Sequence, residues 1–320
     1  MVMKEMVMKE MVMKEMVRRN KMVMNRPELV LKSINAVFAK SLLDQTAEDE
    51  IKKVAEVVTS EGASEEYVFF DSMPAVNEFL DKIDYQKFKS FYLQIQNKEW
   101  QYGVPIKRTI IEDTVVNGLQ PQIQKFIQEG VRSWVDFPMQ LISELLLNGG
   151  SNNAFDGTPF FANSRPELEG GSAINNIISG KSITLSQIAT DLLDAINRLL
   201  SFKAKNGRAY NRNAKFLVIT PPHLASNFWT LQRADRLDSG KANIFANNID
   251  ILINYDQDIT NNDWYLVNSN AVVKPFIYQK RKEPLFDMVD NQDEPIVKFF
   301  STARANAGYG NPMSIVMVNN

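Results

Sequence analysis

The 320 residues include no cysteine and one histidine, His223. The first absence excludes disulfides, thiolate zinc sites, iron–sulfur clusters and a cysteine nucleophile. The second excludes any site built from several histidines. Neither sign of charge is in excess: 36 Lys and Arg face 38 Asp and Glu, a formal net charge of -2. That balance argues against a surface that coats nucleic acid as a whole, and leaves room for a local basic patch. No apolar run approaches the roughly eighteen residues of a membrane span. Leu145 to Leu147 and Phe216 to Ile219 are typical of the short runs present. The start alternates Met, Val, Lys and Glu without an apolar h-region, so no secretory signal is expected and the product reads as intracellular, with no membrane partner.

What is present is an ordinary globular composition, 44% hydrophobic and 23% charged, which opposes global disorder. A chain of this length buries roughly three quarters of its unfolded surface and has a soft prior of two domains. The first 24 residues differ. MVMKE stands at 1–5, 6–10 and 11–15, followed by Arg18, Arg19 and Lys21. A five-residue period turns an apolar position by about 140° per repeat on a helix, so no stable stripe forms. The segment reads as a flexible tail or an extension ahead of a start at Met22 or Met24. The other reading is an arm that orders against a neighbour or a polyanion.

Pro27 to Thr59 carries a helical pattern through Leu29, Ile34, Phe38, Leu42, Ile51, Val54 and Val58. Gly62 marks a break. Phe91 to Gln96 and Val104 to Ile111, around a polar-aromatic turn at 97–103, read as a long hairpin, with Pro105 placing its second strand at an edge. A two-stranded ribbon is marginal alone in water, so a neighbouring subunit is the natural cover. Leu119 to Leu147 is the longest helical pattern, with Pro138 expected to kink or divide it and Asn148-Gly149-Gly150 to end it. Residues 151–182 read as an ordered irregular loop. Then follow a helix over 185–202, a strand at 216–219, a helix at 224–231, and strands at 249–253 and 264–267, a small α/β or α+β subdomain. The last fifty residues read as strand and turn: 272–278, 295–301 and 314–318.

Chemical constellations are sparse. His223 opens a helix and would need Ser226 or a distant carboxylate to act as a base, without a G-x-S-x-G elbow; a surface or capping role fits it better. Asn148 to Asn153 ends a helix and so does not aim amides at a phosphate. Asp256, Asp258, Asn261, Asn262 and Asp263 lack the glycine and glutamate of a calcium loop and read as an acidic turn. Lys280-Arg281-Lys282, with Lys274, Phe276 and Tyr278, is a basic cluster that Glu283 dilutes. No catalytic residue, cofactor or metal is expected.

The order of parts carries more than any one motif. Asn97-Lys98 with Trp100, Ile111-Glu112-Asp113, Leu147-Asn148-Gly149 and Phe155-Asp-Gly-Thr-Pro-Phe-Phe161 come first. Phe216-Leu-Val-Ile-Thr-Pro-Pro222, Trp264-Tyr-Leu266, Lys274-Pro275 with Gln279, and Tyr309-Gly310 follow. Over residues 67 to 320 this series resembles the HK97-type major capsid proteins of tailed phages, and more narrowly the major head subunits of Mu-like phages. The resemblance implies an α+β fold with an N-terminal arm (1–66), an E-loop (67–117), a P domain with a spine helix (118–182), an A domain (183–270) and a return to the P domain (271–320). It implies self-assembly through pentamers and hexamers into an icosahedral head around double-stranded DNA, in a virion made in the host cytoplasm, with scaffold, portal or decoration proteins as further partners. Phe91, Leu93, Ile95, Asn97, Trp100, Tyr102 and Val104 are then the expected intersubunit contacts. Arg18, Arg19 and Lys21 are the expected DNA-facing groups. An encapsulin-like compartment of the same fold and a carboxylate-based α/β hydrolase or sugar-binding protein remain the alternatives.

Overall fold

The computed structural model describes residues 26–320 apart from 45–47, 75, 77, 80, 83, 84, 86, 112–120, 167, 169–173, 237–239, 241 and 292. The MVMKE repeat, Arg18, Arg19, Lys21 and Glu112-Asp113 lie outside the described residues. In chain order the elements are α1 (Arg26–Asp44), α2 (Glu48–Val54), β1 (Ala55–Thr59), β2 (Ser64–Phe70), β3 (Ser90–Gln96), β4 (Lys98–Lys107) and α3 (Pro121–Asn148). Then come β5 (Ile177–Ser179), α4 (Leu185–Ser201), β6 (Phe216–Thr220), α5 (Ala225–Arg233), β7 (Ile249–Ile253) and β8 (Trp264–Asn268). β9 (Phe276–Val289), β10 (Ile296–Tyr309) and β11 (Ile315–Asn319) close the chain. Two compact units result: the first draws on the segment before 47, 99–136 and 282–304, and the second on 47–98, 137–281 and 305–320.

The second unit is built on a mixed sheet of order β5-β11-β8-β6-β7. Its central strands β11, β8 and β6 are apolar over their first four residues, because both faces are covered there. Alternation with period two divides them: Val218, Trp264, Leu266, Val316 and Val318 enter one core with Ile188, Leu192 and Leu199 of α4 and Phe228 of α5. Leu217, Ile219, Tyr265, Val267 and Ile315 enter the other, with Ile142 and Leu146 of α3 and Phe160, Phe161 and Phe276. The helix over 185–201 and the strands at 216–220, 249–253 and 264–268 match the sequence pattern. The sheet also takes in β11, antiparallel to β8, and β5, parallel to β11.

Residues 156–165, in the irregular stretch after α3, are tied together by a buried charge pair. The Arg165 guanidinium meets Asp156 at 2.8 Å, with neither side chain exposed, and also donates to Thr158 Oγ1 at 2.9 Å and to the carbonyls of Pro159 and Phe160. Burial alone would lower the affinity of Arg165 for its proton, and Asp156 opposes that. Asn148-Gly149-Gly150 ends α3 as expected. Gly149 is needed for close approach: a Cβ there would lie 2.5 Å from the ring of Phe161.

Four expectations are corrected. The helical pattern of 27–59 breaks at Val54, and Val57 and Val58 lie in β1, parallel to β9 with Ala55 opposite Phe276; β-branched residues fit a strand with a partner better than a frayed helix end. Pro138 does not divide α3, which runs unbroken through it. Ile127, Val131 and Trp134 are buried before the proline and Leu141, Ile142 and Leu146 after it, which outweighs one lost ladder bond. The boundary between the units nonetheless falls between Asp136 and Phe137. The C-terminal strands are longer than their pattern suggested, β9 and β10 having 14 residues each. Finally, β3 and β4 do not form a hairpin: β3 pairs with β2, and β4 lies at the edge of a sheet beside β10. Its edge position is the one Pro105 requires.

In the first unit, α1 packs Phe38 edge-on against Phe286 at 4.9 Å. Asn35 clamps the same residue, donating to its carbonyl and accepting from its amide, both at 3.1 Å. Its side-chain amide thus stands in for a neighbouring strand. Removing Asp156 in the second unit should show how much the buried pair matters. Asp156→Ala strands an uncompensated guanidinium and is expected to destabilise the chain by roughly 3–5 kcal/mol, read as a lowered denaturant midpoint; an unchanged midpoint contradicts this account.

Candidate functional site

The antiparallel pair β2–β3 is the ribbon that the sequence misplaced by one strand. Its register sets Tyr67 opposite Leu93, Val68 opposite Tyr92 and Phe69 opposite Phe91. We call the segment joining β2 to β3 the tip; 98–103 of the expected turn belongs instead to β4. The signal for β2 was present in Tyr67-Val-Phe-Phe70, an aromatic and β-branched run. Gly62 and two glutamates obscured it.

Alternate side chains of the ribbon have different fates. The inner set packs on the rest of the second unit: Phe69 stacks on Phe155 at 4.3 Å and Phe91 tilts against the same ring at 5.6 Å. Ile95 is buried against Gly308, where a Cβ would collide with it. The outer set is about half exposed: Val68 49%, Phe70 54% with its ring beside Phe88 at 6.0 Å, and Tyr92 63%. Val76, Phe79 and Tyr85 of the tip are exposed as well.

The root of the ribbon is held by buried amides. Asn97 donates to Ser60 Oγ at 2.7 Å and to the Gly62 carbonyl at 3.0 Å. Gln279 of β9 donates to Asn97 Oδ1 at 2.8 Å and accepts from the Tyr67 hydroxyl at 2.9 Å. Burial pushes the Tyr67 phenol up to about 12, so it remains a donor across the neutral range. Glu65 closes the adjacent turn, accepting from Ser60 Oγ and from the amides of Glu61 and Gly62. At the other end, Asp71 pairs with Lys205 at 3.1 Å. Asn206 and Arg208 donate to the carbonyls of Met73 and Pro74.

These contacts redistribute the residues expected at an intersubunit surface. Ile95 and Asn97 are interior groups of their own chain, because side chains facing the body alternate with those facing out. Phe91 and Leu93 share that inner face and are half-buried. Trp100, Tyr102 and Val104 belong to β4 in the first unit. Tyr102 is half-buried between Phe126 and Phe286. A Cβ at Gly130 would lie 2.8 Å from its hydroxyl. Trp100 lines a hollow of about 320 Å³ with Glu99, Lys282 and Arg304.

The other candidates are structural. His223 Nε2 meets Asn262 Oδ1 at 2.9 Å, so the imidazole is engaged by an amide. Asp258 is held below the usual carboxylate range by the amide and hydroxyl of Thr260, and Asp263 accepts from the Asn320 amide at 3.1 Å. Among the described residues no group of three or more His, Asp or Glu is placed to hold a metal ion. Lys280, Arg281 and Lys282 lie along β9. Arg281 acts on Glu65, and Lys282 donates to Thr302. No described helix is long and apolar enough to cross a membrane.

Two outcomes test the root. Gln279→Ala leaves the buried Asn97 amide short of a partner, at a cost of about 1–3 kcal/mol. Amide hydrogen exchange should quicken over 93–97 and stay unchanged in α4; uniform protection contradicts the assignment. The Glu65 carboxyl is held below its ordinary 4.5 by accepted hydrogen bonds. Its contribution to the turn is therefore complete above that value and vanishes as pH falls through the lowered one. Protection factors at 60–65, corrected for the intrinsic pH dependence of exchange, should fall over that acidic interval, and Glu65→Gln should abolish that fall.

The family model of the Mu-like prophage major head subunit gpT matches residues 28–188 and 252–318. The Mu-like prophage FluMu major head subunit of Haemophilus influenzae is 31% identical over 142 residues, 44% of each chain. The major capsid protein of Escherichia phage Mu is 30% identical over 146 residues, 44% of this chain and 47% of that one. The matched stretch thus spans less than half of either relative. Among solved structures, the capsid of cyanophage P-SCSP1u aligns with a TM-score of 0.52 at 12% identity, covering 83% of this chain and 86% of that one. A virus-like particle from Pyrococcus furiosus aligns with a TM-score of 0.50 at 15% identity, covering 89% and 98%. At these identities the likeness shows the fold alone, and it is the α+β HK97-type fold expected from the sequence.

Proposed function

The chain belongs to the Mu-like prophage major head subunit family, and from that premise we propose that it is a major capsid protein whose copies close into an icosahedral shell. Its place is the virion, after assembly in the host cytoplasm. Its work is structural: it supplies contact surfaces and no catalytic step.

The observation that carries this reading is the outer face of β2–β3. Val68, Phe70 and Tyr92 stand side by side on a ribbon whose other face is packed and whose root is locked. A contiguous apolar strip on a fixed element marks an interaction surface. Identical subunits in a closed lattice cover such a strip by heterologous contact repeated around an axis. We therefore assign the E-loop role to residues 64–96, in place of 67–117. The contact role passes from Ile95, Asn97 and Tyr102 to Val68, Phe70 and Tyr92.

Double-stranded DNA is the proposed content of the shell, met through non-specific charge by Arg18, Arg19 and Lys21. Six Lys and Arg against three Glu in the first 24 residues support that assignment. Scaffold, portal or decoration proteins are the further partners this role implies.

Electron micrographs of the expressed chain, with a nucleic-acid assay after nuclease treatment, test the reading. Particles with protected DNA are expected; particles without it point to an empty compartment of the same fold, and a persistent monomer overturns the proposal. Phe70→Asp should change the unfolding free energy by no more than about 1 kcal/mol. It should lower particle yield about tenfold, the effect of roughly 1.4 kcal/mol at a contact. Normal yield would remove the ribbon from the interface.

A further inference from the structure

The second unit carries two more bare apolar features, and they lie at opposite ends of one strand. The loop leaving the C-terminal end of β7 exposes Tyr255 and Ile259, 76% and 75% accessible. This loop is internally braced. Thr260 donates its amide and hydroxyl to Asp258 Oδ1, both at 2.8 Å. Asn261 Oδ1 accepts from the Asp263 amide at 2.9 Å. Buried Gln257 donates to the carbonyls of Asn261 and Asp263 at 3.2 and 2.7 Å. The two large side chains are therefore held out as a fixed knob, with Asp256 and Asp258 beside them.

At the N-terminal end of β6 and β7 lies a groove of about 520 Å³. Its apolar wall comprises Leu193, Ile196, Phe216, Ile244 and Ile249, and Lys215 and Asp250 also line it. Ile244 is 60% exposed, and Leu193 is exposed too. β7 is an edge strand, so its outer side has no neighbour in the sheet. Among the described residues Lys215 has no ion pair.

We propose that the Tyr255–Ile259 knob of one copy seats in the Leu193–Ile244 groove of the next. This contact rests on the reading of the chain as a shell subunit, and it names the partner and the residues of a second interface. The occupant is a second copy for two reasons. β7 holds knob and groove roughly 16 Å apart on one rigid strand, so no copy fills its own groove. The knob also brings Asp256 and Asp258, and of the two charged side chains lining the groove Lys215 attracts them and Asp250 repels them, so the register that sets a carboxylate at Lys215 is the favoured one. Exposed ion pairs contribute little, so the buried Ile259 and Tyr255 supply the affinity and the charges set orientation. A braced knob loses little freedom on docking, which favours binding. The contact is head-to-tail, and a rotation that closes it makes a ring.

The absence of cysteine gives a clean test. Leu193→Cys and Ile259→Cys are prepared separately and co-assembled one to one, then oxidised mildly. Disulfide-linked dimers are expected in particles from the mixture and in neither variant alone. As a second measurement, Ile259→Asp should reduce particle yield about tenfold while the unfolding midpoint of the monomer stays unchanged. Mixed particles of normal yield without cross-linked dimers overturn the proposal, as does normal assembly of Ile259→Asp. If the parent chain forms no particles, the shell reading fails and this contact with it. Parent particles without knob-to-groove cross-links defeat this inference alone.

Discussion

In the hairpin β2–β3, successive side chains point to opposite faces, and only one of those faces meets the body of the chain. Phe69, Phe91, Leu93 and Ile95 face inward, while Val68, Phe70 and Tyr92 face out. A two-stranded ribbon has no third strand or helix of its own to cover the second face. The geometry of the strand thus creates a surface that folding of one chain leaves incomplete. On the proposed reading, folding and assembly draw on the same hydrophobic driving force, divided between the two faces by the pleat.

That division is useful only if the ribbon is held in a defined direction. Gln279 and Asn97 supply the hold, with Tyr67 and Ser60 completing their hydrogen bonds. Buried amides are directional, and each unmet group is penalised, so the network tolerates one arrangement of the ribbon root. Asp71, Lys205 and Arg208 fix the beginning of the tip. The polar residues near the ribbon act on where its apolar face is presented.

The same logic recurs around the five-stranded sheet. Its interior strands are sealed on both faces, and its edge β7 ends in a braced loop that exposes two apolar side chains. A knob at one end of a strand and a groove at the other make a head-to-tail element. On the proposed reading, ribbon and knob give one chain two independent surfaces for its copies. A closed shell needs more than one kind of contact, since a single heterologous contact yields a ring or a filament.

The sequence by itself determined most elements and the class of the fold. Period-3.6 stripes marked α3 and α4, apolar runs marked β6 and β8, and Pro105 placed β4 at an edge. The order of short motifs pointed to the family. These features are local, and a local pattern survives whatever surrounds it. Tertiary structure alone decided which strands pair, because β2, β3 and β4 are similar in propensity and differ in what the rest of the chain offers them. It also decided that Asn97 and Ile95 are interior, a matter of the half-turn between neighbouring side chains. Pro138 lies in an unbroken helix because burial on both sides outweighs one missing hydrogen bond, a balance set by residues far away in sequence.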